Sequence, residues 1–194
     1  CIFIRGNKED YWLNRRKDQN CDWKNGNRSV MAMIYNYNSL NAKDLDFFET
    51  LPISQSIRFA GMEPVLACHG TPFENQKALL SEDLFVQKCE ERYIICGHTH
   101  MQGFVSDGKK KIINAGAVGV PLKSPKKTQY MILTSDGKDW KPEFLSLEYD
   151  VDTVIKEIHE SGLWDASPYW CRITEHLLDT GELPHGTVLN HVMK

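Results

Sequence analysis

The sequence lacks three features that each indicate a particular class of protein. No run approaches the roughly 18 consecutive apolar residues of a membrane-spanning helix, so a membrane protein is not expected. The formal net charge is only −3, which provides no general attraction to nucleic acid or to anionic lipid. The six cysteines are scattered and include no C-x-x-C pair, and we interpret them as reduced thiols of a cytosolic protein.

The chain also lacks internal repeats, low-complexity stretches and linkers, and its 194 residues suit one globular domain with a sizeable core. It has neither an initiator Met nor a signal segment, because Cys1 is followed directly by an apolar run. This beginning resembles a strand already in progress, so we expect a truncated N-terminus. A lipid-modified Cys1 is the alternative, although such an anchor normally precedes a polar linker.

Apolar periodicity predicts an α/β protein of mixed strands and helices. Residues 1–5 are predicted to form a strand, and the polar stretch from Trp12 a turn-rich excursion. The remaining elements are predicted as a helix within 39–52, a strand pair at 54–61 and 63–70, a helix from Ser81, a strand at 93–96, hairpins turning at Asp107-Gly108 (a two-residue turn) and Asp136-Gly137, and helices beginning near Asp150 and Ser167.

Three predicted strands are followed by polar side chains beside a glycine. Asn7 follows the first strand, His69 follows the strand at 64–68, and His98 and His100 follow the strand at 93–96. In an α/β sheet such strand ends meet at one rim, where sites are commonly built. A lone His69 is more often an ordinary hydrogen-bonded loop histidine, and H-x-H alone is a weak pattern. Their joint occurrence favours a functional site.

Imidazole nitrogens and an amide oxygen suit divalent transition ions such as Mn, Fe, Zn or Co. On an extended segment, His98 and His100 would point to opposite sides, so on a bent loop they serve two neighbouring ions more easily than one. A pair of ions is the usual arrangement for displacement at phosphorus. The pattern therefore favours a dinuclear metal centre.

Four motifs together carry a resemblance to a known family. They are "GNKED", "ACHGTP", "CGHTHMQ" and "INAGAVGVPL" (residues 113–122), and in this order and spacing they resemble the calcineurin-like metallophosphoesterases, particularly the small bacterial type. The resemblance implies an α/β fold in which two mixed β-sheets pack face to face with flanking helices. It also implies that 1–149 form the C-terminal part of a metallophosphoesterase domain, with 150–194 as a helical extension packed on it.

By the same resemblance, Asn7, His69 and His98 are ligands of one divalent ion and His100 of another. Mn is the first choice for both ions, with Fe, Zn, Co or Ni as alternatives. The implied reaction is hydrolysis of a phosphomonoester or phosphodiester by a metal-activated hydroxide, on a small phosphoester or nucleotide-like substrate. The family's D-x-H and G-D motifs, which precede the G-N motif, are not present here, and this supports truncation.

Lys8 stands where many family members have a histidine. It is the catalytic candidate, because an ammonium could stabilise charge in the transition state. As a general acid near neutral pH it would need a strongly lowered pKa. The alternative is a surface lysine that pairs with Glu9 or Asp10.

Two other functions stay open. A non-catalytic interaction or scaffold domain could keep the fold without the chemistry, because Lys8 departs from the family pattern and the upstream ligands are not visible. A structural zinc site could combine Cys68 or Cys96 with the histidines, although both cysteines end apolar runs and are expected to point into the core.

Overall fold

The structure, a computed structural model, describes residues 1–18, 23, 30–79 and 84–185. Within these ranges the helices are α1 (Asn7–Lys17), α2 (Met31–Ser39), α3 (Ala42–Thr50), α4 (Leu84–Lys88), α5 (Val151–Glu160), α6 (Gly162–Ala166) and α7 (Pro168–Thr180). The strands are β1 (Ser54–Ile57), β2 (Val65–Cys68), β3 (Tyr93–Cys96), β4 (Gln102–Ser106), β5 (Lys111–Ala115), β6 (Lys127–Ser135) and β7 (Trp140–Glu148).

Five strands form one mixed sheet in the order β1-β2-β3-β5-β4. The three central strands β2, β3 and β5 are parallel, while β1 and β4 pair antiparallel at the two edges. Strands β6 and β7 form a second, antiparallel sheet of two. The predicted α/β class with two sheets and flanking helices is therefore confirmed, except that the second sheet is purely antiparallel and not mixed.

The central strands are buried on both faces, as expected for parallel strands covered on each side. On one face Val65, Tyr93 and Ile113 pack with Trp140 of β7, and these residues form the core between the two sheets. On the other face the alternate residues pack with Val86 of α4. These alternate residues include Leu66, Cys68, Ile94, Cys96 and Ile112. This two-sided burial fixes the register of β2 and β3 and thus the positions of their ends.

Two predictions for the N-terminal region are wrong. Residues 1–5 form no strand and pair with none among the described residues, and Arg5 N donates to Pro52 O at 2.8 Å. Residues 12–17 belong to α1 and not to a turn-rich excursion; the rest of that excursion lies outside the described residues, except 18 and 23. The helix forms because Glu9 and Asp10 lie in its first turn and three basic residues lie in its last, which complements the helix dipole.

Both hairpins occur where the sequence predicts them, but their loops are longer than a two-residue turn. Ser106 pairs with Lys111 in the first hairpin, which leaves the residues 107–110 in the loop. The Asp107 carboxylate accepts the backbone N–H groups of Lys109 at 2.8 Å and Lys110 at 2.7 Å, and so stabilises the longer loop. The second hairpin has an equivalent loop at 136–139.

The other predicted elements are present, with α3 beginning after an Asn41 cap and α7 ending at Gly181. The predicted cap Ser81 lies outside the described residues, which resume at Leu84 in α4. Within the part of the chain that is described, no helix is both long and apolar enough to cross a bilayer. The division between 1–149 and 150–194 stays a prediction.

Candidate functional site

His69 and His98 leave the sheet side by side, because β2 and β3 are parallel neighbours. Gly97 N donates to His69 O at 2.9 Å, which extends the pairing of the two strands by one step into their loops. As a result, His98 Nδ1 lies 3.3 Å from His69 Nε2, with the two rings nearly perpendicular at 84°. The predicted convergence of these two histidines is therefore present in the structure.

The loop that follows β3 has an unusual backbone. His98 has φ 65° and His100 has φ 59°, both in the left-handed region that residues with a Cβ seldom occupy. Such conformations persist only where the surroundings hold them, and they concentrate at functional sites. Leu122 N donates to His100 O at 2.8 Å, so one of the two unusual residues is held from outside the loop.

The side chain of Asn114, near the end of β5, stabilises the same loop through hydrogen bonds. Its Nδ2 donates to Gly97 O at 2.6 Å and to Thr99 Oγ1 at 2.9 Å, while its Oδ1 accepts from Gly116 N at 3.0 Å. Sequence reasoning did not single out this residue. The available signal was an amide inside the otherwise apolar run before Ala115 and Gly116, where a polar side chain needs specific partners.

The orientation of His100 is fixed by a backbone carbonyl. Its Nδ1 lies 3.0 Å from Val120 O, and because a carbonyl can only accept, Nδ1 must carry the ring proton. The Nε2 atom of His100 then keeps its lone pair. A histidine that donates one ring N–H to a carbonyl and offers the other nitrogen has the arrangement typical of metal ligands.

The first turn of α1 contributes Asn7 and Lys8 to the same region. A Cβ on Gly6 would lie 3.4 Å from His69 Nδ1, which is ordinary van der Waals contact, so the start of the helix lies directly beside the imidazole. The contact is fixed by Asp10, which pairs with Arg5 Nε at 2.9 Å and accepts from Asn75 Nδ2 at 2.8 Å.

All five candidate residues line one cleft of about 700 Å³. They are Asn7, Lys8, His69, His98 and His100. The structure therefore brings together every residue that the sequence singled out, although they come from three separate stretches of the chain.

The surroundings of His69 and His98 in this cleft favour their neutral form. Burial, with the nearby His98 and His100, lowers the pKa of His69 to about 4. Burial also lowers the pKa of His98, and His100 and Lys8 add to this effect. Neutral imidazoles present lone pairs at neutral pH, which is the state required for metal binding.

Lys8 is exposed, as the alternative interpretation expects, but the two carboxylates proposed as its partners are engaged elsewhere. Glu9 Oε2 accepts from Gly6 N at 2.8 Å, and Asp10 is engaged by Arg5 and Asn75. The Lys8 Nζ lies 5.6 Å from the ring centroids of both Tyr11 and Trp170. Burial lowers the pKa of Lys8, and the nearby Glu9 opposes that shift.

The donor set fits part of a metal centre. Two ligands on one ion, each at about 2.1 Å, lie about 3.0–3.4 Å apart at tetrahedral or octahedral angles. The separation of 3.3 Å between His69 Nε2 and His98 Nδ1 falls in this range. Among the described residues, however, no three His, Cys, Asp or Glu side chains form a group that could hold a metal ion. The cleft supplies a ligand pair and the Asn7 amide.

The sequence matches the family model described as the calcineurin-like phosphoesterase superfamily domain over residues 1–138. The chain belongs to the calcineurin-like phosphoesterase superfamily. An uncharacterized protein of Methanocaldococcus jannaschii is 25% identical over an alignment of 190 residues, and the aligned parts amount to 88% of this chain and 72% of that protein.

Two solved structures share the fold of this phosphoesterase-superfamily chain. A hypothetical protein of Pyrococcus horikoshii OT3 aligns with a TM-score of 0.69 at 14% identity, over 94% of this chain and 73% of that one. A metallophosphoesterase of Sphaerobacter thermophilus aligns with a TM-score of 0.65 at 18% identity, over 92% of this chain and 76% of that one.

Two cysteines of this superfamily member lie beside the histidines but face the core. Cys68 and Cys96 are buried with Val86 and the apolar residues of the sheet. Burial raises the pKa of Cys96 to about 11 and that of Cys68 further. Because zinc binds thiolates, these protonated and enclosed thiols make a zinc site with Cys68 or Cys96 unfavourable.

Proposed function

We propose that this chain is part of a metal-dependent phosphoesterase that hydrolyses phosphomonoesters or phosphodiesters. The supporting observation is that His69, His98 and His100, with neutral or correctly oriented imidazoles, face one cleft together with Asn7 and Lys8. The substrate is a small phosphoester or nucleotide-like compound. Cytoplasmic action is proposed because Cys68, Cys96 and Cys171 are buried free thiols.

In this proposal Asn7, His69 and His98 hold one divalent ion, and His100 contributes to a second. Mn is the first choice, with Fe, Zn, Co or Ni as alternatives. When bound, such ions supply Lewis acidity that lowers the pKa of a water molecule towards neutrality and offsets the charge of the phosphoryl group. The contacts of the histidines support these roles, because His100 keeps its Nε2 lone pair and His69 lies against His98.

Lys8 is proposed to stabilise negative charge that develops on the phosphoryl oxygens. Its ammonium lines the cleft beside the imidazoles, with the aromatic rings of Tyr11 and Trp170 near Nζ. The lowered pKa of Lys8 also favours proton donation to a leaving group more than an ordinary lysine would. Charge stabilisation is the primary role, because it needs no proton transfer.

His98→Ala tests the proposal. The full-length protein is loaded with Mn, dialysed, and assayed for bound metal and for hydrolysis of generic mono- and diesters. We expect the variant to lose metal retention and to lose turnover by at least about a hundredfold. Metal ligands, and the residues that hydrogen-bond to them, each contribute strongly to metal affinity and activity. His176→Ala is the matched control, because His176 lies on α7 in a different pocket. Unchanged rates in His98→Ala would contradict the proposal.

A scaffold domain is the second candidate, favoured by the lack of any three-residue metal-holding group within the described residues. It predicts that the full-length parent protein retains no divalent ion and that ester hydrolysis stays at the background rate with every metal tested. Retained metal together with turnover that depends on His98 would reject this candidate.

A further inference from the structure

The cleft has a second wall that differs in kind from the wall of histidines. This wall is mainly apolar and is built by α7 with neighbouring loops. Its members are Trp170, Thr174, Leu177, Leu183, Val120 and Leu122. A volume of about 700 Å³ is far more than a phosphate group needs and lies in the range of sites for larger ligands. The remaining volume adjoins the apolar wall.

Trp170 is the aromatic side chain of this wall. It is 38% exposed, although it lies in a concave region. It also lines a smaller pocket together with Trp12, Met33 and Lys8, so the indole lies between the two cavities. A large indole that is partly exposed inside a cleft offers a flat surface for a ring, because aromatic rings stack favourably.

The position of α7 relative to the histidines is fixed by backbone hydrogen bonds. Lys123 N donates to Gly181 O at 2.7 Å, and Lys126 N donates to Leu178 O at 2.9 Å. The same loop supplies the Val120 carbonyl that accepts from His100 Nδ1 at 3.0 Å. The apolar wall and the histidine wall therefore keep a defined separation, so the wall is preorganised for binding.

We propose that this wall selects phosphoesters whose esterified group carries a planar ring, either a nucleobase or an aryl ring. The ring stacks on Trp170, and the phosphoryl group then lies beside the imidazoles and Lys8. This inference rests on the proposed phosphoesterase function and specifies its substrate class. It also assigns Trp170 as a specificity-determining residue.

The test compares the full-length parent protein, which carries no substitution, with its Trp170→Ala variant, both loaded with Mn. The kcat/KM is measured for adenosine 5′-monophosphate, phenyl phosphate and methyl phosphate. Removing a stacked ring costs about tenfold or more, so kcat/KM for the two ring esters should fall about tenfold further than for methyl phosphate. Comparing adenosine 5′-monophosphate with phenyl phosphate shows whether the wall prefers a nucleobase or a simple aryl ring. Intrinsic leaving-group reactivity cancels, because each substrate is compared between variant and parent.

Two further variants serve as controls for the effect of Trp170→Ala. Trp170→Phe keeps a ring and should restore most of the preference. Trp164→Ala removes an indole from α6 that stacks on His159 at 3.9 Å outside the cleft, and it should leave the preference unchanged. An equal loss for all three esters in Trp170→Ala, or no loss for any, would overturn the inference.

A binding measurement separates this inference from the proposed function. Equilibrium dialysis of adenosine 5′-monophosphate and methyl phosphate needs no turnover. If the parent hydrolyses no ester but binds the ring ester about tenfold more tightly than Trp170→Ala does, the catalytic proposal fails and the ring site stands. If the parent hydrolyses esters but Trp170→Ala keeps the parental preference, the ring site fails alone.

Discussion

The two ends of the five-stranded sheet both contain polar side chains, but they use them differently. At the end where β3 begins, the Asp139 carboxylate accepts from Tyr93 Oη, from Lys111 Nζ at 3.1 Å and from Arg92 Nη1 at 3.2 Å. These groups pair with one another and join the first sheet to the β6–β7 loop. At the end where β3 finishes, the histidines face a cleft.

The direction of the pKa shifts separates the two ends. Hydrogen bonds from Tyr93 and Lys111 lower the pKa of Asp139, which favours its charged form. Burial lowers the pKa of His69 and His98, which favours their uncharged form. One end thus stabilises charge by pairing it, and the other end keeps lone pairs available. Of the two, only the second arrangement suits a binding site.

The largest expected effect is that of Gly70→Ala at the cleft end. A Cβ at Gly70 would lie 2.8 Å from Glu74 O and 2.9 Å from Asn75 O, and closer still to Lys77 O. Because these are backbone atoms, the loop after His69 must move, and we expect destabilisation of about 3 kcal/mol or more. Urea unfolding measures it. Gly103→Ala is the control, because a Cβ there meets nothing within 4 Å. Equal stability of the two variants would contradict the tight packing described here.

The next effect is that of Asn114→Ala, which removes the donors that hold Gly97 and Thr99. We expect a loss of about 2 kcal/mol in stability, because Gly97 O and Gly116 N lose their partners. We also expect weaker Mn retention, since His98 is no longer positioned. Asn38→Ala on the exposed face of α2 is the control. A stability loss with unchanged metal retention would show that Asn114 only supports the fold.

The smallest effect is expected at the opposite end, for Asp139→Asn. The pKa of Asp139 is lowered from its ordinary value of 3.8, so its contribution to stability is present above that pH and is lost as the pH falls through the folded-state value. Parent and variant should therefore differ in unfolding temperature at pH 7 and converge below pH 3.8. Metal retention should stay at the parental level. A difference that persists at the lowest pH, or a loss of metal, would remove the distinction between the two ends.

The cleft end was predictable from sequence because its signals are local. The apolar runs before His69 and His98 alternate between two buried faces, and a glycine follows each run within two residues. Such patterns define where a buried strand stops. Helix α1 was missed because Leu13 is its sole buried residue in the described structure, so its apolar periodicity is weak. Its charge distribution was the better signal.

The roles of Asn114 and Trp170 could not be predicted in this way, because they depend on contacts between distant parts of the chain. Asn114 reaches Gly97 because β5 pairs with β3 in parallel, with Cys96 opposite Asn114. Trp170 faces the cleft because α7 is attached to the loop after β5. The spacing of apolar residues around Asn114 and Trp170 does not indicate either of these long-range contacts.

The loop from Val120 to Lys126 has a consequence for how such a site can diversify. At one end, the Val120 carbonyl accepts from the ring of His100, and at the other end Lys123 and Lys126 donate to the last turn of α7 and its cap. Because the loop connects the two, we expect a helix of different length in place of α7 to displace the loop and change the orientation of the imidazole. We therefore expect that side-chain exchange along α7 disturbs His100 less than a change in the length of that helix would.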